Sequence, residues 1–284
     1  MSELNVLVTG ATSGIGRHAS LHLARRGHRV IATGRSADAL STLRQEAGDL
    51  ALTTVRLDVT DTRSIYEAAA EVDRLTEGRG IDVLVNNAGY GLLAPVAEVR
   101  IDDVRAQLET NVLGLLAVTQ VFLPKMISRG RGRIINISSV VGRTSFPFYG
   151  AYSASKHAVE ALSDALRMEL APLGINVVLV EPGPIRTEFV ERAMGTLSPY
   201  RKPGSIYASV LARAEKLREK ADAYSVGPER TSRVIERAAV SRRPCARYVV
   251  PRRVYLVLAL YALLPTRLMD AILAWAMGLR VLAK

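Results

Sequence analysis

Short apolar runs recur along the chain: NVLVTG at 5–10, RVIATG at 29–34, LTTVRLDV at 52–59, IDVLVNNAG at 81–89, RIINISS at 133–139, INVVLVEPG at 175–183 and RYVVP at 247–251. They are rich in β-branched residues and apolar at successive positions, so neither face is reserved for water. Between them, apolar residues return with the helical period over 14–27, 38–47, 62–77, 102–129 and 151–172. Strands covered on both faces and alternating with helices predict a doubly wound α/β fold. Its mostly parallel seven-stranded sheet should hold a ligand at the carboxyl ends of the strands. No internal repeat or low-complexity linker breaks the pattern. One catalytic domain is expected over 1–251, followed by an apolar helical extension over 252–284.

The first turn is the most informative. TGATSGIG (Thr9 to Gly16) leaves a strand and opens a helix. Gly10 permits the tight turn, Gly14 lets backbone approach a pyrophosphate, and Gly16 permits close helix–strand packing. Thr12, Ser13 and Ile15 complete a loop whose free N–H groups and helix dipole suit phosphate. A glycine loop in strand-to-helix context points to a dinucleotide cofactor. The second strand ends in IATGRS, with no carboxylate for ribose hydroxyls and with Arg35 next. A guanidinium there can pair with a 2′-phosphate, which predicts NADP(H) in preference to NAD(H).

YGAYSASK carries Tyr152 and, four residues later, Lys156. On a helix this spacing puts both side chains on one face. Carbonyl reduction needs a proton for the developing alkoxide, and a phenol can supply it if its pKa, ordinarily near 10, is lowered. A neighbouring ammonium would do so. Tyr149 reads as a rim residue at the helix entrance.

The spacing Gly-x-x-x-Gly-x-Gly, NNAG (Asn86 to Gly89), Tyr152-x-x-x-Lys156 and PGPIRT (Pro182 to Thr187) occur here in that order. Together they resemble the short-chain dehydrogenase/reductase family, over residues 9 to 187. The resemblance implies a Rossmann-type fold and NAD(P)-dependent exchange between an alcohol and its carbonyl, with a homodimer or homotetramer as the assembly. It also implies roles for individual residues. Ser139 would polarise the carbonyl, with Ser138 as runner-up. Asn111 would hold a proton-relay water, and Lys156 would bind the nicotinamide ribose. Asp58 and Val59 would flank adenine, and Asn87, Ala88 and Gly89 would line the adenosine ribose. Pro182 and Gly183 would turn the chain at the nicotinamide, while Ile185 and Thr187 hold the carboxamide and diphosphate side. Residues 187–224 would form a lid over the substrate, including the charged stretch ARAEKLREKADAY.

Composition adds limits. Cys245 is the single cysteine, so no intrachain disulfide can form. The first residues enter a strand-like run without a basic, then apolar, leader, so no signal peptide is expected and a cytoplasmic location is. His18 and His22 stand four apart on the first helix but have no partner at ligand spacing. A solvated face is expected there, and no metal site.

The net charge of +11 lies wholly in residues 186–284, which hold 19 Lys+Arg against 8 Asp+Glu. An anionic partner or a solvated basic surface would account for it. No aromatic platform or reader motif supports nucleic acid. VYLVLALYALL at 254–264 has no polar break, and Pro265, Arg267, Asp270 and AILAWAMGL at 271–279 follow. Three readings stay open for this extension: cover for the substrate pocket or a partner subunit, a peripheral contact with a membrane interface, or a deeply inserted helical hairpin. The apolar tail favours a small hydrophobic alcohol or carbonyl substrate of steroid, retinoid or lipid-like kind. A membrane-associated lipid ketoreductase fits the same residues. A cofactor-binding regulator without turnover is the alternative from another class, though it would be expected to lose Tyr152 or Lys156.

Overall fold

In the computed structural model, residues 3–201, 204–212 and 224–279 are described. Seven parallel strands form one sheet in the order β3-β2-β1-β4-β5-β6-β7. They are β1 (Asn5–Val8), β2 (Arg29–Gly34), β3 (Leu52–Arg56), β4 (Val83–Asn86), β5 (Gly132–Ile137), β6 (Ile175–Pro182) and β7 (Arg247–Val250). The order reverses between β1 and β4, so the two loops leaving them diverge and open a crevice at their carboxyl ends.

Two apolar cores flank the sheet. Val6, Val8, Val30, Val85, Ile135 and Val178 point to one side, with α1 (Gly14–Arg25) and α9 (Pro228–Val240) packed over them. Leu7, Ile31, Leu84, Ile134 and Val177 point to the other, towards α3 (Thr62–Leu75) and α5 (Gly114–Ser128). The alternation along each strand feeds both layers, which is why the runs read as continuously apolar. The remaining helices are α2 (Ala37–Ala47), α4 (Ile101–Leu108), α6 (Gly150–Leu170), α7 (Glu188–Gly195), α8 (Ala208–Leu211), α10 (Val254–Leu263) and α11 (Thr266–Ala276).

Several strands end earlier than their apolar runs. β1 stops at Val8 because Gly10 takes a left-handed turn, φ +62°, and β4 stops at Asn86. Thr9–Ser13 and Asn87–Gly89 therefore belong to the carboxyl-edge loops, and Gly14–Gly16 to the first turn of α1. The expected helix over 102–129 starts and ends one residue earlier and is not uniform: Glu109–Leu113 between α4 and α5 form a π-helical turn that contains Asn111. Among the described residues, Ile101–Ser128 is the one helix long and apolar enough to cross a membrane, and 44% of its apolar window is buried inside the fold.

His18 and His22 do not face solvent. His18 Nδ1 lies 2.7 Å from Ser232 Oγ and His22 Nε2 lies 2.7 Å from Glu236 Oε2, so both join α1 to α9. Ile185 and Val226 form an isolated parallel bridge, and Arg186 N and Val226 N complete it by donating to Val226 O and Pro184 O. The bridge closes the base of the 187–224 segment. Most of the charged stretch expected there, 213–223, lies outside the described residues, as do Arg280 and Lys284.

Candidate active site

At the crevice the glycine loop is built by contact. A Cβ on Gly10 would stand 2.8 Å from Ala88 Cα, and one on Gly34 would stand 2.7 Å from Thr12 Cγ2. A Cβ on Gly16 would collide with the Asn87 amide and the Gly10 carbonyl. Asn87 holds this geometry: its Nδ2 donates to Thr9 O at 3.0 Å and to Gly10 O at 3.1 Å. Thr9 Oγ1 accepts from the N–H groups of Asn87 and Ala88 at 2.9 and 3.0 Å. Ser13, the N-cap of α1, leaves the helix N-terminus without a side-chain cap, and no acid stands in the first turn. Those donors are aimed where a pyrophosphate would sit, so the loop fits a dinucleotide.

The other cofactor candidates gather on the same edge. Arg35 is exposed just past β2. With Arg56, Thr60 N–H and Thr60 hydroxyl, it outweighs burial and holds the Asp58 carboxyl below its usual range. Thr187 packs towards Gly14, where an added Cβ would stand 3.5 Å from Thr187 Cβ. Gly89 faces Asn111, and Gly183 N donates to Val250 O at 2.7 Å. Val59 is buried against Gly114, and the Ile185 side chain belongs to the core. These two can therefore offer a ligand their backbone more readily than their side chains.

β5 and α6 hold the candidate catalytic residues. The stripe Tyr152, Ser155, Lys156, Val159, Glu160 and Ser163 is buried. On another face of α6, Ala158, Leu162 and Ala165 are only half-buried and Ala161 is exposed. Ser139 ends the β5 loop, its Oγ donating to Pro182 O at 3.3 Å and accepting from Val141 N at 3.3 Å. Ser139 stands near enough to the Tyr152 phenol for its hydroxyl to favour the phenolate. Ser138 Oγ instead turns under Gly142, where an added Cβ would stand 2.7 Å from it. The geometry thus brings Ser139, not Ser138, to the phenol.

Lys156 Nζ donates to Ile137 O at 2.8 Å and lies 5.9 Å from the Tyr152 ring centroid. Burial pulls the ammonium down to about 8, with Glu160 opposing. Burial pushes the Tyr152 phenol up; the Ser139 hydroxyl opposes this and Tyr149 adds to it. The expected lowering of the phenol by Lys156 is therefore not met in the protein by itself. Desolvation of the phenolate outweighs an ammonium held on the Ile137 carbonyl. Asn111 Oδ1 accepts from Tyr90 N at 3.1 Å, and its Nδ2 donates to Tyr90 O at 3.0 Å and Ser155 Oγ at 3.1 Å. Ser155 Oγ in turn donates to Tyr152 O at 2.7 Å. The π-helical turn sets Asn111 into this chain, as such turns do at functional sites.

Three groups were missed in the sequence. Phe189 of α7 stacks at a tilt on Tyr152 and presses on Gly91, where a Cβ would meet its ring at 2.9 Å. Arg192, one turn on, donates to Ser13 Oγ at 3.2 Å and so links α7 to the glycine loop. Glu160 and Glu181 lie behind Lys156, with Arg247 Nε 3.2 and 3.3 Å from their carboxylates and Arg143 3.4 Å from Glu181. Burial and the charge of Glu160 push the Glu181 carboxyl up to about 7, against Arg143 and Arg247. The signal for Glu160 was present: it continues the Tyr152–Lys156 stripe by four residues. Phe189 and Glu181 had no local signal.

A family model described as short chain dehydrogenase matches residues 4–196. An uncharacterized oxidoreductase, YbbO, of Escherichia coli (strain K12) is 38% identical over 95% of this chain and 94% of its own. The 17-beta-hydroxysteroid dehydrogenase type 1 of Homo sapiens is 36% identical over 89% of this chain and 79% of its own. Among solved structures, a short-chain dehydrogenase from Streptomyces avermitilis superposes with a TM-score of 0.78. It is 30% identical, covering 99% of this chain and 98% of that one.

Proposed function

This chain belongs to the short-chain dehydrogenase family, and from that premise we propose that it interconverts an apolar alcohol and its carbonyl with NADP(H), using Tyr152 as the proton donor and acceptor. The observation that carries the reading is the placing of Ser139 next to the Tyr152 phenol, with Lys156 beside the ring. When bound, the nicotinamide supplies or accepts the hydride at the substrate carbon. Ser139 Oγ donates to the substrate oxygen and favours the charge that develops there. Tyr152 Oη transfers its proton to that oxygen in reduction and takes it back in oxidation. Lys156 holds positive charge near the phenolate and donates to the nicotinamide ribose. Asn111 and Ser155 position this face of α6 and offer polar atoms for a relay water.

The preference for NADP(H) rests on Arg35 at the end of β2, where no carboxylate competes for the ribose. Arg56 stands beside it, since Gly34 pairs with Arg56 across β2 and β3. An apolar substrate is supported by the Phe189 ring against Tyr152, since Phe189 belongs to an apolar cluster with Leu93, Phe148, Tyr149, Met194 and Met277. The hydroxysteroid specificity carried in the name of the human relative agrees with such walls. A lid role for the described part of 187–224 is supported by the Ile185–Val226 bridge at its base and by Arg192 donating to Ser13 Oγ. The half-exposed face of α6 is where a second copy would pack in a homo-oligomer.

The test is a panel of apolar ketones and alcohols followed by NADPH absorbance, with Tyr152→Phe as the control. Turnover with NADPH exceeding that with NADH, and a loss of about 10²-fold or more in kcat for the variant, is the expected result. A variant as active as the parent would overturn the mechanism, and a parent that binds NADPH without turning over any of the panel would leave cofactor binding as the chain's role.

A further inference from the structure

The last two helices leave most of their apolar surface uncovered. Val254 and Leu258 turn inward against Val249 and Val140, and Met269 does the same for α11. Tyr261 Oη accepts from Ser145 N at 3.2 Å, and Arg253 donates to Tyr224 O, so the rotation of α10 is set by bonds to the body. With that rotation, Leu256, Leu260 and Leu263 form one outward stripe, 67%, 45% and 81% exposed. Leu268, Ile272 and Trp275 form another on α11, 49%, 43% and 69% exposed. Both follow the i, i+4, i+7 spacing of a single helix face.

Each stripe starts at an exposed arginine. Arg252 lies four residues before Leu256, and Arg267 lies four and eight residues before Ala271 and Trp275. Asp270 is the single acid in 252–279, against three arginines. A second copy brought face to face here would set these arginines against their equivalents, whereas a negatively charged surface complements them. α10 has ten residues, about 15 Å of helix, against about 30 Å of bilayer hydrocarbon, so it cannot span. An aromatic indole beside basic residues on an apolar stripe is the chemistry of an interfacial helix.

We propose that α10 and α11 dock in the plane of an anionic lipid surface, their leucine, isoleucine and tryptophan stripes entering the acyl boundary and Arg252 and Arg267 meeting the headgroups. The stripes supply affinity through burial, and the arginines select negative charge. Docking is read without turnover, so it stands or falls independently of the substrate and cofactor assignments above.

Trp275 is the chain's single tryptophan, which makes its fluorescence a direct probe of the docked face. The full-length protein is mixed with phosphatidylcholine vesicles, with and without phosphatidylglycerol, and followed by emission and flotation. A blue shift and flotation with the phosphatidylglycerol vesicles, weakened by salt, are expected, with little of either on phosphatidylcholine alone. Arg252→Glu with Arg267→Glu should lower partition by about 25-fold or more, at roughly fivefold per basic residue lost from a lipid surface. Leu256→Asp with Leu260→Asp should abolish it. Both double variants should keep the parent's melting temperature. Absence of shift and flotation with anionic vesicles overturns the proposal. So does flotation that survives both double variants, which would place binding on another face. A blue shift that grows with protein concentration without lipid, together with a doubled mass, overturns it in favour of a second copy.

Discussion

The ring of Phe189 lies 5.5 Å from the ring of Tyr152, centroid to centroid, inclined at 51°. The two come from different layers: Tyr152 from the helix behind β5, Phe189 from the first helix of the segment that follows β6. Their contact puts an aromatic wall against the phenol that the mechanism uses. Two surface clefts, lined by Asn5, Arg29 and Leu75 and by Arg167, Gly174 and Asn176, lie at the amino ends of the strands, away from this contact.

Removing that wall should change which substrates fit. Phe189→Ala is expected to raise kcat/KM for bulky ketones relative to small ones by about tenfold, within the range that apolar pocket contacts supply. The ratio of the two kcat/KM values, measured with saturating NADPH, checks this. An unchanged ratio would mean that the ring moves clear of the substrate before binding.

Arg35 should act on one cofactor only. Arg35→Ala is expected to raise the KM for NADPH by about 10–100-fold, the cost of about 1.5–3 kcal/mol for hydrogen bonds to a charged group. The KM for NADH should scarcely move. Parallel titrations with both cofactors separate a 2′-phosphate contact from a general loss of the loop.

Lys156 predicts an alkaline limit. Burial holds its ammonium down to about 8, so the free protein loses that charge as pH rises through this value. The kcat/KM for NADPH, which reports the free enzyme, should fall above about pH 8. Lys156→Arg retains its charge, and any activity that survives should continue to higher pH. A limb that stays in place in the variant would assign the titration to another group.

Glu181 should tilt the stability curve. Its carboxyl stands at about 7, against an ordinary value of 4.5. Between these values the folded chain holds a proton that the unfolded chain has lost. Its contribution is full below 4.5 and is lost as pH rises through about 7. Glu160, Arg143 and Arg247 face the same carboxylate, and Asp164 shares Arg247 with it at 2.5 Å. Glu181→Gln should flatten the fall in melting temperature over this window. A slope identical to the parent's would assign the effect to another group.

Gly16 tests the loop itself. A methyl group there meets the Asn87 amide and the Gly10 carbonyl. Gly16→Ala should cost about 1–3 kcal/mol by overpacking and weaken cofactor binding at the same time. Thermal unfolding and a cofactor titration read the two effects separately.

Much of this was legible because it is local. Tyr152 and Lys156 are one helical turn apart, and four residues of sequence are enough to place them on one face. The glycine loop is similar: Gly10 and Gly14 take φ of +62° and +54° in a turn between one strand and one helix. The strand ends were less legible. An apolar run does not say where pairing stops, so NVLVTG and IDVLVNNAG were each read past the last paired residue. His18 and His22 were read as a solvated face, because the partners that bury them, Ser232 and Glu236, lie 214 residues on.

The amino-acid sequence by itself determined the parallel α/β sheet, the phosphate-binding turn and the Tyr152–Lys156 pair. Period, turn geometry and helical spacing are properties of neighbouring residues. Only the tertiary structure decided that Ser139 rather than Ser138 meets the phenol, that Phe189 walls it, that Asn111 stands in a π-helical turn, and that two carboxylates lie behind Lys156. These depend on which distant segments are pressed together and how much water is excluded between them. Desolvation then fixes the state of each group: it lifts Tyr152 and Glu181 and lowers Lys156, and no run of residues around any of the three encodes that burial.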